Sequence, residues 1–290
     1  MIDLTTGVFT VRKLDVAQLT QAVAEMVQKV NYELDPNVLG SLRQASAIEE
    51  SPYGKDVLEQ LLQNAEIAKT EQVPICQDTG FTVIFLELGQ EVYLTGGDAN
   101  EALQEGVRLG YKSGYLRPSI VADPLRRVNT NDNTPAVIHW QLVPGNNVRI
   151  TVMAKGGGSE NASAVKMLKP ADGAAGVMDF VVETVSQAGG NACPPMLIGV
   201  GIGGTMEKAA ALAKKALMRP LGQPHPDDYY SSMERKLLER LNRLGIGPAG
   251  LGGKITVLAV QIETFPTHIA GLPVAVNLNC HAARHLTRVL

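Results

Sequence analysis

The spacing of apolar residues changes near residue 70, and this change sets the class of fold that the chain can adopt. Between residues 16 and 30 apolar side chains recur at helical spacing, and the stretch that begins at Ser51 and Pro52 has the same period, with Ser51 as a helix cap. After residue 70, strand patterns such as "TVIFLELG" alternate with helical patterns such as "DANEALQEGVRLGY". We therefore predict an α/β fold with mixed sheets, surrounding helices and a helical N-terminal third.

The later part of the chain predicts further elements. "AVIHWQLV" and "NVRITVMAKGGG" are separated by Pro144, Gly145 and Asn146, which is typical of a β-hairpin. Helices are predicted at about 173–188 and 227–244, and strands at "MLIGVGIGG", "KITVLAVQIETF" and "PVAVNLNC". No repeat or linker interrupts the sequence. We expect one domain over residues 1–290, with a helical lead-in over about 1–70 and a mixed α/β core over about 71–290.

Charge and hydropathy limit the classes of partner. The formal net charge of -3 gives no global attraction to nucleic acid or to an anionic membrane, so neither partner is expected. No apolar run approaches the roughly 20 residues that a membrane span needs, and the N-terminus lacks the pattern of a secretory signal. Three cysteines cannot all pair within one chain, which favours a reducing compartment. We expect a cytoplasmic protein.

Each of the three cysteines lies where an apolar segment begins or ends. Cys76, Cys193 and Cys280 are separated by 117 and 87 residues, which excludes a local zinc knuckle built from closely spaced cysteine pairs. Three interpretations remain open on spacing alone. The thiols could be buried core residues, they could bind zinc with His268 or His281, or they could hold an iron–sulfur cube with one iron open to an exogenous ligand.

Two glycine-rich stretches allow a binding or a purely structural interpretation. In "AKGGGSENAS" three glycines follow a strand and Ser159 is a candidate helix cap, so the stretch is either an anion site or a tight turn. "GVGIGGT" matches G-x-G-x-x-G at Gly199, Gly201 and Gly204, but a lone match is a weak sign of a dinucleotide site. No acidic residue ends a second strand about twenty residues on. The chain is therefore not predicted to be a standard Rossmann domain.

Three polar residues are candidates for chemistry, each with a simpler structural interpretation. Asp78 stands two residues after Cys76 and is suited to proton transfer, although an Asp before Thr-Gly also caps turns. Arg117 precedes a proline and could bind a carboxylate with its planar guanidinium, although most arginines are solvated. His268 lies between a turn and an apolar run, and a histidine in such a place, taken alone, is more often a hydrogen-bonded structural residue.

Five stretches carry motifs that agree in their order along the chain: "PICQDTG", "GYLRPS", "KGGGSEN", "ACPPMLIGVGIGGT" and "HIAGLPVAVNLNCHAARH". Together they resemble the iron–sulfur-dependent class I fumarases and the related L-tartrate dehydratases. The resemblance extends over nearly the whole chain. It is to the α subunit of the two-subunit form, which is equivalent to the N-terminal domain of the single-chain form.

The resemblance implies a cofactor and roles for several residues. In this family three cysteines hold an oxygen-sensitive [4Fe–4S] cluster, and by motif match these are Cys76, Cys193 and Cys280. The fourth iron lacks a protein thiolate and takes the substrate's hydroxyl and carboxylate. Motif match also implies substrate contacts from the following residues: Gln77, Asp78, Arg117, Gly157 and His268. Asp78 would exchange a proton with the oxygen at the open iron, Arg117 would bind a carboxylate, and the Gly157 amide would donate to another oxygen.

The resemblance also implies a partner. The family's remaining site residues, including further cations and the group that abstracts the C–H proton, lie in a C-terminal domain, so we expect a separate β subunit in an assembly of two α and two β chains. The implied reaction is the reversible hydration of fumarate to (S)-malate, a step of the tricarboxylic acid cycle. Dehydration of L-tartrate or of a methylated C4 diacid stays open as an alternative substrate range. A zinc-stabilised, non-catalytic assembly module is the alternative of a different class.

Overall fold

The computed structural model describes residues 11–290 as two compact units. The first unit contains residues up to Asn31, Gln77–Ala154 and His285–Leu290, and the second contains Tyr32–Cys76 and Lys155–Arg284. The prediction about a secretory signal concerns residues 1–10 and lies outside the described residues. No helix within residues 11–290 combines the length and apolar character needed to cross a bilayer.

Eight α-helices and ten strands form the described part of the chain. The helices are α1 (Val16–Tyr32), α2 (Pro36–Ile48), α3 (Pro52–Glu71), α4 (Ala99–Ser113), α5 (Gly157–Asn161), α6 (Gly173–Ala188), α7 (Met206–Ala216) and α8 (Asp228–Asn242). The strands are β1 (Arg12–Asp15), β2 (Phe81–Gly89), β3 (Val92–Thr95), β4 (Val137–Val143), β5 (Val148–Lys155), β6 (Ala164–Leu168), β7 (Met196–Gly203), β8 (Val257–Phe265), β9 (Leu272–Asn279) and β10 (Arg284–Val289). The predicted α/β class is confirmed.

Local helix signals in the sequence operate as predicted. Ser51 caps α3 by accepting a hydrogen bond from the Gly54 amide at 3.2 Å, and Pro52 occupies the first helical position, where a missing amide proton costs nothing. Asp98 caps α4 in the same way, through the Glu101 amide at 3.0 Å. These caps satisfy amide groups that a helix leaves without partners.

The first unit contains a four-stranded sheet in the order β10-β5-β2-β4 and a two-stranded sheet of β1 and β3. The predicted hairpin of "AVIHWQLV" and "NVRITVMAKGGG" is wrong, because β2 lies between β4 and β5, and β4 pairs with β2 in parallel. The short connection crosses the end of β2, where the Gly89 amide donates to Asn147 O at 2.9 Å. A side chain at Gly89 would meet Gly145 O at 2.3 Å, so the crossing requires glycine there.

The second unit is built on a sheet in the order β6-β9-β7-β8, with helices packed on both faces. Val274, Val276 and Leu278 of β9 join α6 and α8 in the main apolar core. Ala275, which points to the opposite face, packs instead against Ala209 and Ala213 of α7. The alternation along β9 therefore places two helices on one side of the sheet and one on the other.

Packing accounts for the glycines of the G-x-G-x-x-G match. A Cβ atom on Gly199 would lie 2.0 Å from Ala213 O, and one on Gly201 would lie 2.0 Å from Ala209 O. The backbone of α7 thus rests directly on β7, and only glycine allows this approach. This contact assigns Gly199 and Gly201 to helix–sheet packing, in agreement with the low weight given to a dinucleotide site.

We predict opposite effects of adding a methyl group at two glycines. Gly201→Ala should lower the free energy of unfolding by about 1–3 kcal/mol, because the new methyl group overpacks the contact with α7. Gly40→Ala is the matched control, since the helical Gly40 has no atom within 4 Å of its Cβ position and alanine favours helix by up to about 1 kcal/mol. Denaturant titration of both variants measures the difference. Equal stabilities would contradict the packing assignment.

Candidate functional site

All three cysteines belong to the second unit, and each follows a regular element. Cys76 comes after α3, Cys193 ends a 3-10 turn over Gly189–Ala192, and Cys280 comes directly after β9. None of the three is part of a disulfide bond. The sequence prediction that each cysteine stands at the border of an element is confirmed.

The pairing of β7 with β9 brings Cys193 and Cys280 together. The two strands run antiparallel with Leu197 opposite Asn279, so the start of β7 lies beside the end of β9. The His281 backbone amide donates to Cys193 O at 3.4 Å, and the His281 Nδ1 atom lies 3.2 Å from the same oxygen. Two cysteines that are 87 residues apart in sequence are thus on adjoining loops.

The third cysteine is held near the same loops. Ile75 O accepts a hydrogen bond from Asn64 Nδ2 of α3 at 2.8 Å, which fixes the backbone just before Cys76. Partial burial raises the pKa of the Cys193 thiol, and the charges of Cys280 and Cys76 raise it further. The Cys193 thiol therefore lies within electrostatic range of both Cys280 and Cys76, and the pairing of β7 with β9 places Cys280 on the adjoining loop.

The backbone at Cys193 is unusual. Cys193 has φ of 54° and occupies the left-handed region, which residues other than glycine adopt at a cost of about 1–3 kcal/mol. Its loop is fastened by Ala249 N, which donates to Pro194 O at 2.9 Å, and by Met196 N, which donates to Thr256 O at 2.9 Å. A backbone held in a costly conformation by its surroundings is characteristic of functional sites.

The geometry does not support a site for one metal ion. Within residues 11–290, no three His, Cys, Asp or Glu side chains are close enough together to bind a single ion. The ligands of one zinc ion must all lie about 2.0–2.3 Å from the metal, which brings them nearly into contact with one another. In an iron–sulfur cube each thiolate binds its own iron, so the sulfur atoms stand further apart. The zinc and iron–sulfur interpretations therefore make different demands on the spacing of the three sulfur atoms.

The "KGGGSEN" stretch forms a turn and a short helix over a buried charge. Gly157 begins α5, which is only five residues long, and Gly156 precedes it without a side-chain cap. The prediction that Ser159 caps the helix is wrong, because Ser159 lies inside α5 and its Oγ accepts a hydrogen bond from Lys155 Nζ at 2.8 Å. Lys155 is the last residue of β5, and its side chain bonds to the serine four residues further along the chain.

Lys155 is completely buried and forms part of an ionic group that sequence reasoning missed. Its Nζ lies 3.2 Å from Glu160 Oε2, and Glu160 Oε1 lies 2.6 Å from Lys214 Nζ. Burial lowers the pKa of Lys155 to about 8, while the charges of Glu160 and Cys280 oppose this effect. Lys155 therefore remains mainly protonated at neutral pH. Its place directly before the glycines was the only signal in the sequence.

Asp78 and Arg117 belong to the first unit and are joined through Thr79. The buried Thr79 Oγ1 accepts a hydrogen bond from Arg117 N at 3.0 Å and donates one to Arg117 O at 3.1 Å. Asp78 is half-buried, and its Oδ1 accepts from Gly80 N at 2.9 Å, the turn-capping bond that the sequence also allowed. The structure thus holds the backbone of Arg117 against the turn that carries Asp78, although 38 residues separate Arg117 from Thr79.

Two further residues that sequence reasoning missed support this turn. The buried Tyr111 hydroxyl lies 3.0 Å from both Thr79 O and Gly80 O, and Asn133 Nδ2 donates to Gly80 O at 3.2 Å. Asn133 Oδ1 also accepts from Ser119 N at 2.7 Å, which ties down the loop that follows Arg117. No local sequence pattern could show these bonds, because each joins residues at least 14 positions apart.

Three further site residues were predicted from the sequence, namely Gln77, Gly157 and His268. Gln77 and His268 are exposed, and Gly157 is half-buried. His268 belongs to the second unit, where its Nδ1 accepts from Ala270 N at 3.1 Å. It lines an open cavity of about 330 Å³ together with Tyr229, Tyr230 and Ile269, and none of the three cysteines lines this cavity. The hydrogen bond of His268 fits the structural interpretation, and its role at the site stays a prediction.

Comparisons with known proteins bear on this arrangement. A sequence model of the family described as fumarate hydratase (Fumerase) matches residues 20–289. A protein of Methanocaldococcus jannaschii, provisionally named L(+)-tartrate dehydratase subunit alpha, is 40% identical over 273 residues, which cover 92% of this chain and 95% of that protein. The proteins named L(+)-tartrate dehydratase subunit alpha in Escherichia coli strain K12 and Shigella sonnei strain Ss046 are 36% identical over 276 residues, which cover 94% of this chain and 90% of each relative.

The chain belongs to the class I fumarate hydratase and tartrate dehydratase α-subunit family. The resemblance inferred from the five motifs is confirmed. As a member of this class I family, the chain is an enzyme of the hydro-lyase class, of the α-subunit type. The family assignment and the grouping of the thiols come from independent observations, one from the sequence as a whole and the other from the geometry of three loops.

We predict that Thr79 stabilises the Arg117 segment through its hydroxyl group. Thr79→Val keeps the shape but leaves the partly buried Arg117 amide without its acceptor, so the free energy of unfolding should fall by about 1–3 kcal/mol. Thr79→Ser keeps the hydroxyl and should lose less than half as much. Denaturant titration measures both variants. Equal losses would show that the methyl group, rather than the hydroxyl, carries the contribution.

Proposed function

We propose that the chain is the α subunit of an oxygen-sensitive [4Fe–4S] hydro-lyase that interconverts fumarate and (S)-malate and needs a β subunit for turnover. The observation that carries the proposal is the meeting of the Cys193 and Cys280 loops at one end of the β7–β9 pair, with Cys76 within electrostatic range as the third thiol. Membership of the hydro-lyase family supports the type of reaction.

The donor set suits an iron–sulfur cluster. Thiolates are the ligands that such clusters use, and three of them leave one iron of a cube without a protein ligand. The buried ammonium of Lys155 interacts with the charge of Cys280, so a cation is present to offset the negative charge of a thiolate-bound cluster. Cys76, Cys193 and Cys280 would hold the cluster. When bound, the cluster supplies a Lewis acid that activates water or, in the reverse direction, polarises a poor hydroxide leaving group.

Asp78 has the role of proton carrier in this proposal. A carboxylate near neutral pH can accept a proton from the attacking water, and in dehydration it can return that proton to the departing hydroxyl. The bond from Gly80 N to Asp78 Oδ1 fixes the orientation of the carboxylate. Catalysis by a positioned group depends on such fixation, because small displacements cost large factors in rate.

Two groups on this chain would bind the substrate carboxylates. The Arg117 guanidinium presents a planar fork of N–H donors that matches a carboxylate, and Thr79 fixes its backbone. The Gly157 amide, which has no side chain to obstruct it, would donate to a second substrate oxygen. Gln77 and His268 would add polar contacts. Both side chains are exposed, so they are accessible to a substrate or to a partner subunit.

The β subunit would supply the base that removes the C–H proton and the further cations that neutralise the second carboxylate. We propose an assembly of two α and two β chains located in the cytoplasm, where thiols stay reduced. The relatives that match this chain are themselves named as alpha subunits, which supports a separate partner chain.

Tartrate dehydration is the second candidate function, because the bacterial relatives at 36% identity are named for L(+)-tartrate. Malate and tartrate are both 2-hydroxy diacids that differ by one hydroxyl group. A site that hydrogen-bonds this hydroxyl could favour tartrate strongly, whereas an apolar pocket discriminates weakly. The description of the matching family as fumarate hydratase supports fumarate as the first choice.

Anaerobic purification and reconstitution test the cofactor. The chain should bind about four irons with equivalent sulfide. Cys193→Ser should prevent assembly of the four-iron cluster. A colourless protein that binds one zinc and no sulfide would contradict the proposal and support the zinc-stabilised assembly module instead. Co-expression with the β subunit, followed by anaerobic assay on fumarate, malate and L-tartrate, then identifies the substrate by the ratio of kcat/KM values.

Replacement of Asp78 tests its role in proton transfer independently of cluster binding. Asp78→Asn should lower kcat by about 10²–10⁴-fold in the assembled enzyme, because the amide cannot carry the proton, while the iron content stays unchanged. Asp123→Asn is the matched control, since Asp123 is half-buried like Asp78 and caps a turn in the same way through the Leu125 amide at 3.0 Å. Equal activities of the two variants would contradict the role given to Asp78.

A further inference from the structure

The buried group around Lys155 has more contacts than the glycine turn requires for its own stability. Lys155 is fully buried, and its ammonium bonds to Ser159 Oγ and Glu160 Oε2 at 2.8 and 3.2 Å. Glu160 also pairs with Lys214 at 2.6 Å and accepts from Asn277 Nδ2 at 3.0 Å. The Glu160 carboxylate thus pairs with two ammonium groups, those of Lys155 and Lys214.

This group is fastened to the strand that leads to Cys280. Asn277 lies on β9, three residues before the cysteine, and binds the Glu160 carboxylate. One residue further along β9, Leu278 N donates to Ser163 Oγ at 3.0 Å, and Ser163 Oγ donates to Ser159 O at 3.2 Å. These bonds join α5 and its flanking residues to the end of β9, so the distance between the ammonium and the cysteine loop is set by a braced structure.

Among the three cysteines, Cys280 is the one whose charge contributes to the pKa shift of Lys155. Charge effects between buried groups are stronger than those at the surface, because little water screens them. A cation that is held at a fixed place inside the protein changes the energy of any nearby group whose charge varies. A cluster bound to Cys280 gains one negative charge on reduction.

We propose that Lys155 is a positioning residue whose buried ammonium, braced by Glu160 and β9, raises the reduction potential of the cluster held by Cys76, Cys193 and Cys280. This inference rests on the proposed cofactor, but it adds a role for residues to which neither the family motifs nor the substrate contacts give one. The positive charge of Lys155 stabilises the reduced, more negative state of the cluster. The lysine acts through the cluster and has no contact with the substrate in this account.

Two substitutions with opposite charge effects test the proposal. Lys155→Met keeps a chain of similar length but removes a positive charge, so the reduction potential should shift to a lower value. Glu160→Gln keeps the shape and removes a negative charge, so the potential should shift to a higher value. Anaerobic redox titration of the reconstituted α chain, followed by the electron paramagnetic resonance signal of the reduced cluster, measures both. The titration is run at about pH 6 and at about pH 7.5, because Glu160→Gln removes a charge that raises the pKa of the buried Lys155. The shift of Glu160→Gln to a higher potential should therefore be larger at the lower pH, where Lys155 is more fully protonated.

Lys166→Met is the control. Lys166 is a half-exposed lysine of the same unit, so water should screen its charge from the cluster. Shifts of opposite sign for Lys155→Met and Glu160→Gln, with no shift for the control, support the proposal. A purely structural role would move both potentials in the same direction or leave both unchanged, and either result overturns it. If Lys155→Met does not fold, the sign of the Glu160→Gln shift decides alone.

Failure of this inference can be told apart from failure of the proposed function. A wild-type chain that binds no four-iron cluster overturns both. A wild-type chain that binds the cluster, with equal potentials in all variants, overturns only the role of Lys155.

Discussion

The antiparallel register of β7 and β9 is the constraint on which the candidate site depends. Because Leu197 pairs with Asn279, the loop that enters β7 and the loop that leaves β9 meet at one end of the sheet. Cys193 and Cys280 stand on these two loops. A shift of the register by one residue would turn every side chain of β9 to the other face of the sheet, so the apolar core and the meeting of the cysteines are specified together.

Side-chain packing on both faces of the sheet stabilises this register. Val274, Val276 and Leu278 are buried against α6 and α8, while Ala275 faces α7. On β7, the glycines that allow α7 to rest on the backbone alternate with apolar residues in the main core. Large residues on one face and very small residues on the other leave a single way to stack the three layers. The sheet that carries the thiol loops is therefore rigid, and rigid elements hold a site more precisely than loops alone.

Sequence reasoning found what depends on local patterns and missed what depends on distant contacts. The caps Ser51 and Asp98 and the strand before Cys280 were predictable, because capping and apolar periodicity are local. The hairpin failed because a short connection with turn residues also fits a crossing over the end of a third strand, and only the pairing of β2 distinguishes the two. Thr79 and Lys155 were missed because their partners become visible only once the chain is folded.

The central claim is that three thiols from distant parts of the chain hold one cluster with an open iron. A Mössbauer spectrum of the α chain, reconstituted without oxygen using the Mössbauer-active iron isotope and recorded with and without the β subunit and substrate, tests it most directly. The account predicts one iron signal distinct from the other three, and a change in that signal alone when substrate binds to the complete enzyme. A spectrum without a distinct iron, or one in which substrate leaves that iron unchanged, would contradict the account.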